Sequence, residues 1–188
     1  VFTSHYKDCT IEFFINPTRF VNWNCAAGPG WGTYMHHFNS NGTFTCGWNT
    51  NARVTSSTAF ALNSWQHVAI VVSNNKMTLY KDAVAVGSVS TNSYSGLGGF
   101  GDLVFSASGE GSYQNAKFDE IRIWDHARTQ TQLKGSSIRL RRQEFTGEVM
   151  PQGLVAYYKG DTFEGEDGKF YMRDCVGGNH AVINNVSG

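Results

Sequence analysis

Several segments of the chain alternate between apolar and polar residues, or run apolar, over the length of a β-strand. The clearest pair is residues 65–72 and 77–82, and the polar break at residues 73–76 is typical of a hairpin turn. Residues 118–124 have the same character much later in the chain. Together these segments predict stacked antiparallel sheets, that is, a β-sandwich.

The rest of the pattern adds short strands and little helix. Asn41-Gly42 accommodates a positive φ angle and predicts a hairpin between residues 31–38 and 43–48. A short helical turn is predicted within residues 125–133, starting at Asp125 or Thr129. Further strands are predicted at residues 10–15, 83–90, 103–105 and 153–158. The predicted class is all-β, a two-sheet antiparallel sandwich with one short helical turn.

Length and charge restrict the function. A chain of 188 residues suits one domain with a substantial core. Lys plus Arg and Asp plus Glu number 15 each, so the chain has no net charge to attract nucleic acid. The longest aliphatic run, residues 68–72, is far below the roughly 20 residues that span a bilayer. We therefore expect neither a nucleic-acid partner nor membrane insertion.

Three motifs carry a family resemblance. The order W-x-H-V-A at residues 65–69, L-Y-x-D at residues 79–82 and F-D-E-I-R-I-W at residues 118–124 resembles laminin-G-like, concanavalin A-like jelly-roll domains. That resemblance implies a jelly roll that recognises a glycan or a surface protein and does not catalyse a reaction. It also implies a secreted or cell-surface location and further domains in a larger chain.

The C-terminal segment has two interpretations. Residues 138–148 are basic and then acidic, which is typical of a connector, and residues 174–183 resemble the usual beginning of a family domain. Residues 148–188 are then either strands that close this sandwich or the start of a second, truncated repeat. The first is favoured, because a returning segment would cover unpaired N–H and C=O groups at a sheet edge. We therefore predict a single domain over residues 1–188.

The acidic residues do not form the pattern of a glycoside hydrolase. Related hydrolases place acids at i, i+2 and i+4 on one strand, above the sugar, and no E-x-D-x-E run occurs here. Asp119 and Glu120 are adjacent, so a regular strand points them to opposite faces, with Asp119 on the face of Ile121. A hydrolase would need acids from distant loops, such as Glu110 with Asp102, and the favoured prediction is no enzyme.

Asp119 has two interpretations. On an otherwise apolar strand face its carboxylate is expected to be partly buried, where it needs a partner. In relatives, an acid at the matching strand position contributes to a calcium site, so the resemblance implies Asp119 as a calcium ligand and calcium as a structural cofactor. The alternative, favoured by the lack of a D-x-D-x-D loop, is that Asp119 accepts backbone N–H groups from residues 112–117.

The cysteines and the paired histidines leave structural questions open. Cys9, Cys25, Cys46 and Cys175 show no C-x-x-C spacing, which argues against zinc. Cys25 and Cys46 bracket the hairpin of residues 31–48 and are disulfide candidates, and the alternative is buried thiols. His36-His37 alternate across a strand, so one is expected to face solvent and the other to pack.

Aromatic residues beside amides are the candidate glycan ligands. A ring stacks on the C–H face of a sugar while amides bracket its hydroxyl groups. The candidates are Trp23 and Asn24, Tyr94, Tyr113 and Asn115, with Trp31 and Trp48 flanking the hairpin. The alternative for every one of these rings is ordinary packing. The leading function is glycan binding through rim loops, and the second is a protein-interaction or spacer domain.

Overall fold

Twelve strands and one short helix make up the described part of the computed structural model, which comprises residues 7–22, 24–30, 34–47, 52–91, 115–137 and 150–183. For residues 24–30, 34 and 35 only the backbone is described. In chain order the elements are β1 (Cys9–Pro17), β2 (Asn24–Gly30), β3 (Tyr34–Phe38), β4 (Phe44–Gly47), β5 (Arg53–Thr55), β6 (Gln66–Ser73), β7 (Lys76–Lys81), β8 (Val84–Ser90), β9 (Ala116–Trp124), α1 (Gln130–Ser136), β10 (Leu154–Glu164), β11 (Phe170–Asp174) and β12 (Ala181–Val182).

The strands form two sheets. The large sheet has the order β12-β11-β10-β9-β1-β6-β7-β8, and the small sheet has the order β2-β3-β4-β5. Every described strand pair is antiparallel. The predicted all-β, two-sheet sandwich with a short helix is therefore confirmed.

The main core lies between the two sheets. On β1 every second residue, Ile11, Phe13 and Ile15, joins it, as strand alternation requires. The small sheet contributes Phe38 and Phe44, whose ring centroids are 5.0 Å apart. Burial of each such side chain contributes about 1.5–3 kcal/mol to stability. The other faces of the two sheets, which we call the outer faces, carry the polar residues discussed below.

The hairpin turns follow their sequence signals. Asn74 and Asn75, between β6 and β7, have φ angles of 50° and 56°, and this pair of positive angles matches the twist of the flanking strands. Gly42, between β3 and β4, has a φ angle of 79°. Both predicted hairpins are confirmed.

Replacing Gly42 by alanine is expected to destabilise the fold by at least about 1 kcal/mol, because a non-glycine residue at positive φ is strained. The added Cβ would also lie 2.9 Å from Phe20 and 3.2 Å from the carbonyl oxygen of Phe60. Gly135 in α1 is the matched control: its Cβ would meet nothing within 4 Å. G135A should stabilise by about 0.5 kcal/mol through helix propensity. Urea unfolding of both variants checks the opposite signs.

A β-bulge in β9 changes which face Asp119 occupies. The register of β9 on β1 shifts between Glu12 and Phe14, and Glu120 at the bulge has a φ angle of 53°. The bulge places Asp119 opposite Phe14, on the outer face. The prediction that Asp119 shares the face of Ile121 is therefore wrong, because it assumed an unbroken alternation.

Helix α1 covers part of the outer face of the large sheet. Thr129 is its N-cap, and Thr129 with Gln132 forms a capping box that satisfies the first N–H groups. Leu133 is fully buried and packs in a small apolar cluster with Ala69 and Val71 of β6. The predicted helical turn is confirmed, with Thr129 rather than Asp125 at its start.

Strands β10, β11 and β12 extend the large sheet beyond β9. Backbone pairing runs from Leu154 opposite Trp124 to Tyr158 opposite Ile121. They cover one edge of β9, as closing strands would. The assignment of residues 148–188 to this domain or to a second repeat stays a prediction. Among the described residues, no helix has the length and apolar character that crossing a membrane requires.

Candidate functional site

Most of the predicted glycan ligands lie outside the described residues. This holds for Trp23, Trp31, Trp48, Tyr94 and Tyr113. The two amide residues are described, at least in part. Asn24 is the first residue of β2, opposite Phe38, and Asn115 is exposed just before β9. The carbonyl oxygen of Asn115 accepts the backbone N–H of Thr18 at 2.8 Å.

Asn24 and Asn115 lie at the same end of the sandwich, which we call the Asn115 end. Residues 18–22 lead there from the end of β1 toward the start of β2. Asn22 accepts the backbone N–H of Ser40 through its side-chain oxygen at 2.7 Å. The two amides therefore share an end where turns of both sheets meet.

Two of the predicted tryptophans follow strands at the opposite end. Gly30 pairs with Tyr34 and Gly47 pairs with Met35, so β2 and β4 finish at the same edge of the small sheet, which we call the Gly47 end. Trp31 and Trp48 are the next residues in the chain. The seven residues of β2 span roughly 20 Å at 3.3 Å per residue. The two described amides, Asn24 and Asn115, thus lie at the end of the sandwich opposite to Gly47, and the site formed by the full set of predicted ligands stays a prediction.

The outer face of the small sheet is polar. One row across the sheet holds His37, Thr45 and Thr55, paired in register. The hydroxyl groups of the two threonines are 2.8 Å apart, and the Asn39 amide donates to the Thr45 hydroxyl at 3.0 Å. Thr55 is exposed, whereas His37 and Thr45 are buried at 3% and 7% exposure. Arg53, opposite Gly47, is half-buried. The accessible polar groups are therefore those of Asn39, Thr55 and Arg53.

The paired histidines on β3 are both buried, with His36 at 0% and His37 at 3% exposure. The prediction that one faces solvent is wrong, because the polar outer face is covered at His37 as well. Burial lowers the pKa of His36 to about 3, helped by the nearby His37. Burial and the charge of Arg53 lower the pKa of His37 to about 4. Both rings are therefore neutral at physiological pH.

The predicted disulfide between Cys25 and Cys46 is not formed in this structure. Cys46 is a free thiol with 0% exposure, and burial raises its pKa far above the usual range. Strand β3 lies between β2 and β4, which separates the two Cα atoms by about 9.6 Å, beyond the limit of roughly 7 Å for a disulfide. The alternative of buried thiols holds for Cys46 and for Cys9, which is 2% exposed.

The structure shows the Asp119 carboxylate accepting the backbone N–H of Glu120 at 2.9 Å. Within the described ranges no group of three or more His, Cys, Asp or Glu side chains is arranged to hold a metal ion. Calcium binding by Asp119 stays a prediction, as does its contact with residues 112–117, which are described only in part. Glu110 and Asp102, the acids of the hydrolase alternative, lie outside the described residues.

A buried charged cluster on the outer face of the large sheet was not predicted. Glu12, at the centre of β1 with 0% exposure, contacts most members of the cluster. Its carboxylate accepts hydrogen bonds from Nε1 of Trp124 at 3.0 Å and from the guanidinium of Arg128 at 2.6 Å. Nε2 of His67 lies 3.1 Å from the same carboxylate. Arg122 lies 3.9 Å away. A single acid amid the apolar residues of β1 was the available sequence signal, because a central strand can bury a carboxylate only with partners.

The charges of the cluster compensate one another. Arg122 donates to Glu120, which also accepts the hydroxyl of Tyr157. The guanidinium of Arg128 lies 4.1 Å from the centroid of the Trp124 ring, a cation–π contact. Burial opposes ionisation of Glu12, yet His67 and the two arginines outweigh it and lower the Glu12 pKa to about 2.

A cavity of about 210 Å³ lies beside this cluster, bounded by the end of β9, α1 and the turn before β10. It is lined by Arg122, Trp124, His126, Arg128, Gln132, Ser136, Pro151 and Gln152.

Solved structures share this fold at low sequence identity. A protein from Bacteroides ovatus, provisionally assigned as carbohydrate-binding, superimposes with a TM-score of 0.76 and 20% identity, covering 100% of this chain and 54% of its own. Domain 4 of the arabinanase AbnA from Geobacillus stearothermophilus, in complex with arabinotriose, has a TM-score of 0.61 and 14% identity, with 71% and 68% coverage. The CBM40 of the Ruminococcus gnavus IT-sialidase, bound to α2,3-sialyllactose, has a TM-score of 0.56 and 9% identity, with 71% and 84% coverage.

These likenesses establish the fold alone, and the chain spans about half the length of the Bacteroides ovatus protein. A comparison with curated proteins gave no significant match. A family model does match: the Laminin_G_3 model of the concanavalin A-like lectin/glucanases superfamily covers residues 2–134, well over half of the chain. The jelly-roll resemblance of the sequence motifs is thereby confirmed, and the chain belongs to the concanavalin A-like lectin/glucanases superfamily.

Proposed function

We propose that the chain is a non-catalytic module that binds a glycan on the outer face of the small sheet. The observation that carries the proposal is the polar row on β3–β5, which ends in the exposed Thr55, with the half-buried Arg53 two residues away on the same face of β5. Hydroxyl, amide and guanidinium groups in fixed positions match the hydroxyl groups of a sugar. A secreted or cell-surface location and a role within a larger chain are parts of the same proposal.

The tryptophans supply the stacking surface in this proposal. Trp31 and Trp48 are the residues that follow β2 and β4 in the chain, and Gly47, the last residue of β4, pairs with Arg53. A ring at either position would cover the apolar face of a sugar whose hydroxyl groups reach the polar row. The neighbours described with arabinotriose and sialyllactose use the same fold for sugar binding, which supports the class of ligand but not its identity.

The W31A/W48A double variant is expected to weaken glycan binding by about fivefold to 160-fold, because stacking contributes roughly 0.5–1.5 kcal/mol per ring. T55V removes one exposed hydroxyl without changing shape and should weaken binding about twofold to tenfold. Isothermal titration of the chain with a panel of neutral oligosaccharides measures both effects.

Phe170 provides a matched control, because it is an aromatic residue with 41% exposure on β11 of the large sheet. F170A should bind as the unaltered chain does. If no oligosaccharide in the panel bound, that result would contradict the proposal and favour a protein-interaction or spacer domain. Equal binding by W31A/W48A and the unaltered chain would contradict the site.

A further inference from the structure

We propose that the cavity beside Trp124 is a second binding site, for the carboxylate-bearing ring of an acidic sugar. It lies on the outer face of the large sheet, so the sandwich separates it from the outer face of the small sheet. It is therefore independent of the glycan site proposed above.

The charge of the lining selects an anion. Arg122 and Arg128 line the cavity, and no Asp or Glu does. Their acidic partners, Glu12 and Glu120, are 0% and 5% exposed. A ligand in the cavity therefore meets cationic side chains first, and a guanidinium is the group best matched to a planar carboxylate.

Both arginines are fixed before a ligand arrives. Arg128 is bound to Glu12, Ser136 and the carbonyl oxygen of Gln132, and Arg122 is bound to Glu120. A preorganised donor loses little side-chain entropy when it binds, so more of the interaction energy appears as affinity.

The two arginines also retain unused donors. Arg122 is only 3% exposed, and the Nε–H groups of Arg122 and Arg128 have no hydrogen-bond partner among the described residues. A buried donor without an acceptor is destabilising, because it has lost its hydrogen bonds to water. An anionic oxygen in the cavity would accept hydrogen bonds from these donors. The unpaired Nε–H groups therefore point to a ligand and not to packing alone.

Size and the neutral lining point to a sugar ring rather than a bare ion. A volume of 210 Å³ equals about seven waters at ~30 Å³ each, more than a carboxylate alone fills. The indole of Trp124 offers an apolar surface, and Gln132, Ser136 and Gln152 offer amide and hydroxyl groups to ring hydroxyls.

The test is to titrate the chain separately with glucuronic acid, glucose and inorganic phosphate. Calorimetry measures the affinity, and the NMR signals of the arginine Nε–H groups report where the ligand binds. Glucuronic acid should bind at least tenfold more tightly than glucose or phosphate, and its binding should shift those NMR signals. Raising the salt concentration should weaken it.

Q152E places a carboxylate at an exposed lining residue and should weaken glucuronic acid binding at least tenfold. T131E is the matched control, because Thr131 is exposed on α1 and does not line the cavity, and it should change binding less than twofold. Unchanged binding in Q152E would overturn the site. Equal binding of phosphate and glucuronic acid would overturn the assignment to an acidic sugar. Both results are separate from the titration with neutral oligosaccharides, which tests the glycan site on the small sheet.

Discussion

Replacing Glu12 by alanine is expected to lower the free energy of unfolding by about 3–5 kcal/mol, the largest effect of any single substitution considered. The carboxylate is fully buried and compensates the guanidinium of Arg128 at 2.6 Å. Its removal leaves buried positive charge without compensation and leaves the Nε1–H of Trp124 without its acceptor. Denaturant unfolding measures the loss, and the slope of the free energy of unfolding against denaturant concentration should stay unchanged.

A matched control separates this effect from the general loss of a carboxylate. Glu164 ends β10 and is exposed, so E164A should change the free energy of unfolding by no more than about 0.5 kcal/mol. E12Q keeps the shape and removes the charge. If E12Q were as stable as the unaltered chain, hydrogen bonding and not charge compensation would hold the cluster together.

Acidification is expected to destabilise the fold from about pH 6.5 downward. The pKa values of His36 and His37 fall from 6.5 to about 3 and about 4, so below pH 6.5 the unfolded chain binds protons that the folded chain does not. Their contribution is complete above pH 6.5 and is lost toward pH 4 and then pH 3. Each histidine adds a slope of about 1.4 kcal/mol per pH unit.

Glu12 adds to the loss at lower pH. Its pKa falls from 4.5 to about 2, so its contribution is complete above pH 4.5 and is lost as the pH falls toward 2. Unfolding free energies measured between pH 7.5 and 4.5 isolate the histidines. H36F, which keeps an aromatic ring against Phe44, should reduce the slope by about half. A slope unchanged by H36F would contradict a neutral, buried His36.

Local signals in the sequence were sufficient for the hairpins and the helix. Asn41-Gly42 and the polar residues 73–76 specify turns through their tolerance of positive φ, and Thr129 with Gln132 specifies a helix start. In each case the determining residues are adjacent or one helical turn apart. Nothing distant in the chain is needed to predict such elements.

Other elements depend on contacts between distant segments. Strand β2 reads CAAGPG after its first residue, a composition poor in strand formers, and forms by pairing with β3. The bulge at Glu120 appears only when β9 pairs with β1, so alternation alone misplaced Asp119.

The position of the candidate sites on the fold could not be predicted from the sequence. Rings beside amides are a residue pattern that the sequence shows, but strand pairing decides which end of the sandwich a segment reaches, and it places Asn24 and Asn115 at the end opposite to Gly47. The cavity joins β9, α1 and residues 151–152, which no spacing rule brings together.

A crystal structure of the chain with a neutral oligosaccharide selected by titration would show where the glycan binds. We expect a sugar on the outer face of the small sheet, with hydroxyl groups at Thr55 and Arg53 and a ring against Trp31 or Trp48. A sugar bound instead at the Asn115 end, or on the outer face of the large sheet, would contradict this expectation.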